Sequence, residues 1–176
     1  MSSTNLPTMS LQKLSDPATA SAMFEAVRSV AENSFFAVAE PGDERSFAAQ
    51  AAQVPSWLVA TVHFEQGPLH GSIACTMPLA LARGLFDAFA GRDPSDPEPV
   101  PELVHDLVGE FSNMVCGAWL TRVASSRTFT LHHPSVEALV SPRHLGGPRL
   151  LAVIDDVPVA VEVSLTAEPQ GDLPAA

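Results

Sequence analysis

The sequence predicts an α/β domain of the α+β kind, a largely antiparallel sheet with helices packed on it. Three observations carry this. The apolar pattern runs helix, strands, helix, helix, strands along the chain. Two strand pairs, Trp57 to Thr76 and Leu150 to Leu165, are each joined through a short turn signal. The segment Val104 to Arg122 repeats its apolar residues at helical rather than strand spacing.

The elements follow in order. Asp16-Pro17 places an N-cap before a proline at the first helical position, and the helix runs to about Glu32 with Met23, Phe24, Val27 and Val30 at core spacing. Phe35 to Ala39 is apolar enough for a strand, and Pro41-Gly42-Asp43-Glu44 is a turn signal. Residues 45–55, rich in Ala and Gln, are ambiguous. Trp57 to Phe64 is β-rich, Gln66-Gly67-Pro68 turns the chain, and His70 to Thr76 returns, as a hairpin with a loop slightly longer than the tight type. Pro78 opens a helix with Leu79, Leu81, Ala82, Leu85, Phe86 and Phe89 as its apolar set, and Gly91 stops it. Residues 92–101 form a proline-rich acidic loop before the helix at 104–122. Thr128 to His132 is a strand, and Pro134 to Pro148 a loop with a short helix near Ser135–Val140. Leu150 to Asp155 and Val157 to Leu165 are strands joined through Asp155-Asp156. Residues 1–15 and 168–176 are polar and read as flexible ends, leaving one domain at 16–167.

Composition narrows the function. At 176 residues the chain can bury one substantial core, and 46% hydrophobic against 16% charged residues favours folding over disorder. A net charge of −11 argues against nucleic acid and anionic membrane, which both ask for Lys/Arg patches, and suits a partner with a basic rim. Cys75 and Cys116 are too few for a disulfide framework, and no Cys/His spacing resembles a zinc site. No secretory leader and no long apolar run is legible, so a soluble cytoplasmic protein is expected.

The helix at 104–122 has two unlike faces. At about 100° per residue, Val104, Leu107, Val108, Phe111, Val115 and Ala118 gather on one side as a core stripe. Asp106, Glu110, Asn113 and Gly117 fall within about 60° of one another on the other side. Gly109, Ser112 and Cys116 are small and lie beside that polar face, so another backbone can approach it closely. Each interior glycine costs a helix about 1 kcal/mol relative to alanine, so something besides helix stability is served.

Asp106-x-x-x-Glu110-x-x-Asn113 followed by Pro134 resembles the Asp/Ser-x-x-x-Glu-x-x-Asn…Pro pattern of the CheC/CheX/FliY phosphatases, which act on the phosphorylated chemotaxis response regulator CheY. One such motif is present, as in CheX, where CheC and FliY typically carry two. The 20 residues between Asn113 and Pro134 are slightly fewer than the family usual, as if a loop had been shortened. The element order over roughly residues 10–166 is similar to CheX, and Gly71 to Gly91 echoes a strand-Pro-helix-Gly unit of the family.

The resemblance implies hydrolysis of an aspartyl phosphate on another protein, a phosphorylated CheY-type response regulator. It implies no cofactor of the chain's own, the Mg²⁺ belonging to the partner's receiver domain. Asn113 is then the residue that orients the attacking water, because a carboxamide both donates and accepts and stays neutral near the phosphoryl group. Glu110, about 4.5 Å away along the helix axis, pairs with the partner's active-site lysine. Asp106 adds a polar contact at the edge, and Gly109 and Gly117 keep the surface low. The resemblance also implies a homodimer built by joining sheet edges, for which Leu150 to Leu165 offers an apolar surface. Its competitor is a non-catalytic module of the same fold that docks a response regulator or flagellar switch protein.

Polar residues on an outer helical face are ordinary, and Glu with Asn three later arises by chance. The added Asp, the glycines, the following proline and the element order weigh against chance. Elsewhere the readings are structural. His132-His133, as neighbours in a strand, point to opposite faces and do not ligate one ion together. Asp155-Asp156 is a turn. Cys116 is expected to be partly exposed and unreactive, with no cation nearby. Trp57 and Trp119 are core or dimer contacts. Ser125-Ser126 has no base at a readable spacing.

Overall fold

The computed structural model describes residues 16–93 and 95–167, so the two ends read as flexible, 1–15 and 168–176, lie outside the described residues. Helix α1 (Pro17–Ser34) is capped by Asp16, whose carboxylate accepts from the Ala18 N–H at 3.3 Å. Strand β1 (Ala39–Pro41) follows. Helix α2 (Glu44–Ala51) settles the ambiguous stretch: Asp43 accepts from both Ser46 N–H (2.9 Å) and Ser46 Oγ (2.8 Å), which also holds its carboxyl below the usual range. Strands β2 (Trp57–Gln66) and β3 (Leu69–Pro78), helix α3 (Leu79–Ala90) and helix α4 (Pro101–Val123) come next. Strands β4 (Thr130–Leu131), β5 (Ser135–Leu139), β6 (Arg149–Ile154) and β7 (Val157–Ala167) complete the order.

The strands form one sheet in the order β1-β6-β7-β3-β2, with β4 and β5 both pairing with β2, and every pairing is antiparallel. Alternation along the strands divides the two faces. Leu58, Ala60, Val62 and Phe64 of β2 and Val159, Val161, Val163 and Leu165 of β7 meet the apolar sides of α1, α3 and α4 in the main core. Trp57 and Ala160 face the other way, onto Phe47 of α2 and Leu151, in a smaller core. Both tryptophans are fully buried, Trp57 with its ring tilted against Phe47 and Trp119 against Phe64, so they serve the core.

Several expectations change. The β2–β3 hairpin is the tight two-residue type, because Gln66 pairs directly with Leu69. Gly67 supplies a φ of 57° at the first turn position while Pro68 fixes the second, the chemistry of a II′ turn. Ser135–Leu139 is a strand rather than a helix, since its register with Trp57–Thr61 satisfies a sheet edge that a helix would leave open. Residues 128–132 shorten to the two-residue β4. The C-terminal strands do not form a free edge: β7 lies between β6 and β3, and β1 covers the end of β6. The sheet's edges are β1 and the β4–β5 line, so those are where strand pairing between copies has room.

The predicted strand at 35–39 begins only at Ala39, because Phe36 turns the chain out of α1 with a φ of 56°. The Ala37 N–H reaches back to the Ala31 carbonyl at 3.0 Å, closing the helix end as glycine-based C-terminal motifs do. Phe36 occupies the left-handed position that glycine prefers, and its side chain is 76% exposed. Phe36→Gly is therefore expected to stabilise the fold by about 1 kcal/mol, a rise in Tm of roughly 2–4 °C by calorimetry. A fall in Tm would mean that the ring packs in a way its exposure does not reveal.

Cys75 and Cys116 are both buried, and burial pushes each thiol up to about 12. Cys116 thus sits in the core and not at the edge of the polar face. Folding holds both thiols protonated, while the unfolded chain releases those protons near pH 8.5. Their contribution is complete below that pH and is lost progressively as pH rises towards 12. Two outcomes are expected: no reaction with a thiol reagent at pH 8 until denaturant is added, and stability that falls above about pH 9, the fall being smaller in Cys75→Ala. Prompt labelling of the native protein would contradict this burial.

Candidate functional site

Helix α4 carries the site, and its surroundings explain how. Val104, Leu107, Val108, Phe111 and Val115 are buried as the spacing predicts, with Ala118 half-buried. Gly109, Ser112 and Cys116 are buried as well, so these small residues pack inward and do not form an open platform. Gly109 shows the reason. A Cβ there would stand 3.2 Å from Pro134 Cβ and 3.6 Å from Val136 Cγ2. The helix therefore presses against the β4–β5 edge at Gly109, with Pro134 as the opposing surface. Gly109 and Pro134 are two halves of one contact. Gly117 differs, because a Cβ there would meet nothing within 4 Å. It lies half-exposed on the outer side, clear of the cleft described next.

Beside the contact opens a cleft of about 910 Å³. Asp106, Gly109, Glu110 and Asn113 of α4 form one wall, and His132, His133, Pro134 and Val136 form the other. Asp106 and Glu110 are exposed and Asn113 is half-buried, so the carboxylates reach solvent while the carboxamide sits deeper. The structure thus brings Asp106, Glu110, Asn113 and Gly109 together and leaves Gly117 outside.

Histidines border the cleft beside the motif residues. His105 also lines the cleft. His132 and His133 lie between β4 and β5, where strand alternation no longer applies, and both line it. The dipeptide beside the motif proline was the available signal. His132 Nε2 stands 3.5 Å from Glu65 Oε2, as does His70 Nδ1, so Glu65 is shared between two imidazoles. Among the described residues no group of three or more His, Cys, Asp or Glu is arranged to hold a metal ion, and no helix is long and apolar enough to cross a membrane.

On its far side the same wall borders a second opening. Asp106 and Glu110 also line an apolar groove of about 560 Å³, together with Ser34, Phe35, Phe86, Phe89, Leu103, Leu107 and Met114. Phe35 anchors it from below, its ring centroid 5.4 Å from Phe111 and 5.7 Å from Phe89.

Comparison with known proteins agrees with this picture. The family described as Chemotaxis phosphatase CheX matches residues 58–139, which span the motif and the β5 strand. No curated protein matches the sequence. Among solved structures, chemotaxis protein CheX from Vibrio vulnificus superposes with a TM-score of 0.64 at 18% identity, over 84% of this chain and 96% of that one. A CheC-like superfamily protein from Shewanella sp. PV-4 gives 0.65 at 17% identity, over 86% and 99%. The CheX in a CheX–CheY–BeF3–Mg complex from Borrelia burgdorferi gives 0.57 at 16% identity, over 82% and 96%. In fold over 84–86% of its length the chain is similar to CheX and CheC-like proteins, and in sequence over residues 58–139 to the Chemotaxis phosphatase CheX family.

Proposed function

We propose that the protein is a CheX-like phosphatase that hydrolyses the aspartyl phosphate of a CheY-type response regulator. The observation that carries the reading is the common wall of Asp106, Glu110 and Asn113 on a cleft open to a partner. The match to the Chemotaxis phosphatase CheX family over residues 58–139 and the fold shared with a CheX crystallised with CheY support it.

The chemistry asked of the chain is modest. An acyl phosphate is already activated, and the receiver supplies its own aspartate, lysine and Mg²⁺. What remains is to hold a water in line with the phosphorus. Asn113 does this, its oxygen accepting from the water and its N–H₂ remaining free to donate to a phosphoryl oxygen. The water oxygen bonds to phosphorus as the phosphorus–aspartate oxygen bond breaks. The bond's electron pair leaves with the aspartate as a carboxylate, and both water protons remain on the released dihydrogen phosphate. Glu110 pairs with the receiver's lysine and sets the docking register. Asp106 borders the contact, and Gly109 lets Pro134 close the cleft behind it.

The direct test is the decay of a phosphorylated CheY-type receiver with and without the protein, in wild-type and Asn113→Ala forms. Acceleration that Asn113→Ala does not diminish sinks the water-orienting role. The apolar groove beside Glu110 favours a second reading, a docking module that binds the receiver without speeding its decay. Unaltered binding by Asn113→Ala, combined with no acceleration by the wild type, would establish that alternative.

A further inference from the structure

We propose that the groove between α1, α3 and α4 is the affinity-determining half of the receiver contact, seating an apolar side chain that the phosphorylated receiver presents beside a cationic one. This rests on the phosphatase reading for the partner's identity. The groove and the polar cleft share Asp106 and Glu110, so a partner that engages Asn113 and spans this acidic wall reaches the groove.

The groove's mouth is apolar and open. Phe89 is 59% and Leu103 47% exposed, and Phe36, directly after groove-lining Phe35, turns outward from a position that glycine fits better. An exposed ring kept where the backbone disfavours it points to a use for the ring. Phe89 and Leu103, exposed apolar residues lining one groove, form the kind of patch that marks an interaction surface.

Charge selects the occupant. Asp106 and Glu110 form no ion pair among the described residues, and Glu102 adds a third carboxylate in the first turn of α4. The nearby cations are engaged: Arg92 with Asp87 and over the Phe86 ring, and Arg83 with Glu98. A second copy placed on this face would set acidic wall against acidic wall in a chain of net charge −11. A partner with a basic rim around an apolar side chain answers both features.

The test uses the full chain, a CheY-type receiver phosphorylated for kinetics, and the same receiver held with beryllofluoride and Mg²⁺ for binding. Phe89→Ser and Leu103→Ser are expected to raise KM and Kd about tenfold each while kcat stays within about twofold, the reverse of Asn113→Ala. Phe36→Gly serves if either variant misfolds: weaker binding combined with a higher Tm is a result that a purely structural role for the ring does not give. Val140→Ser, an 84% exposed apolar residue outside both openings, is the control and leaves Kd unchanged. Weakened Kd without any wild-type acceleration supports the groove while the catalytic reading fails. Unchanged Kd in Phe89→Ser, Leu103→Ser and Phe36→Gly overturns the proposal. So does a wild-type dimer, seen by light scattering, that Phe89→Ser dissociates, because a second copy then covers the groove.

Discussion

Asn113→Ala is expected to remove about a hundredfold of the acceleration of receiver dephosphorylation and to leave receiver binding within about threefold of wild type. The size follows from the role. A positioned water supplies orientation, and losing one well-placed donor or acceptor in a catalytic site typically costs two to three orders of magnitude in rate. The selectivity follows from the placement. Asn113 is half-buried in the cleft, whereas Asp106 and Glu110 on the same wall are exposed and also border the apolar groove, where a docking partner would make most of its contact. Asn113→Asp is a sharper variant, because it keeps the size but brings a negative charge towards the phosphoryl group, and it is expected to be as impaired as alanine. Rapid-quench decay of the phosphorylated receiver, alongside calorimetric binding, checks both halves. Loss of rate and loss of binding in equal measure would mean that Asn113 docks the receiver and does not orient water.

Gly109→Leu carries the second large effect. Even a lone Cβ at this position stands 3.2 Å from Pro134 Cβ, and the atoms beyond it run into Pro134 and Val136. Overpacking of this kind costs about 1–3 kcal/mol, so a clear drop in denaturation midpoint is expected. The two walls of the cleft are also forced apart, and positioning tolerates little displacement, so activity should fall by at least tenfold. Gly109→Ala separates the contributions, since the gain in helix propensity opposes the tight contact and the net stability change is small. Adding Pro134→Gly to Gly109→Leu is expected to restore part of the stability by giving the leucine room. If Gly109→Leu were as stable and as active as wild type, helix and strand would not be in the contact described.

Much of this was legible in the chain because it rests on local chemistry. Asp16-Pro17 starts α1, Gly91 ends α3 at a φ of 62°, and Asp155-Asp156 turn β6 into β7 with φ of 46° and 65°. Helical periodicity placed Glu110 and Asn113 on one face with no knowledge of what faced them. The failures are tertiary. Ser135–Leu139 becomes a strand because β2 offers an unpaired edge, which no local propensity records. The small residues of α4 read as an open platform, yet Gly109, Ser112 and Cys116 pack inward, since a helix can have its small side buried too. Strand alternation predicts that His132 and His133 point to opposite faces, but the chain leaves β4 at Leu131 and both line the cleft. The apolar groove draws Phe35, Phe89 and Leu103 from three separate segments, so no single stretch announces it.

On the reading proposed above, this chain accelerates loss of phosphate from a receiver aspartate through Asn113. The most direct measurement is the first-order decay of phosphorylated CheY-type receivers from the same organism, each followed alone, with wild-type protein and with Asn113→Ala. Faster decay is expected with wild type for at least one receiver, and decay near the receiver-alone rate with the variant. Decay that is the same in all three mixtures for every receiver would contradict it.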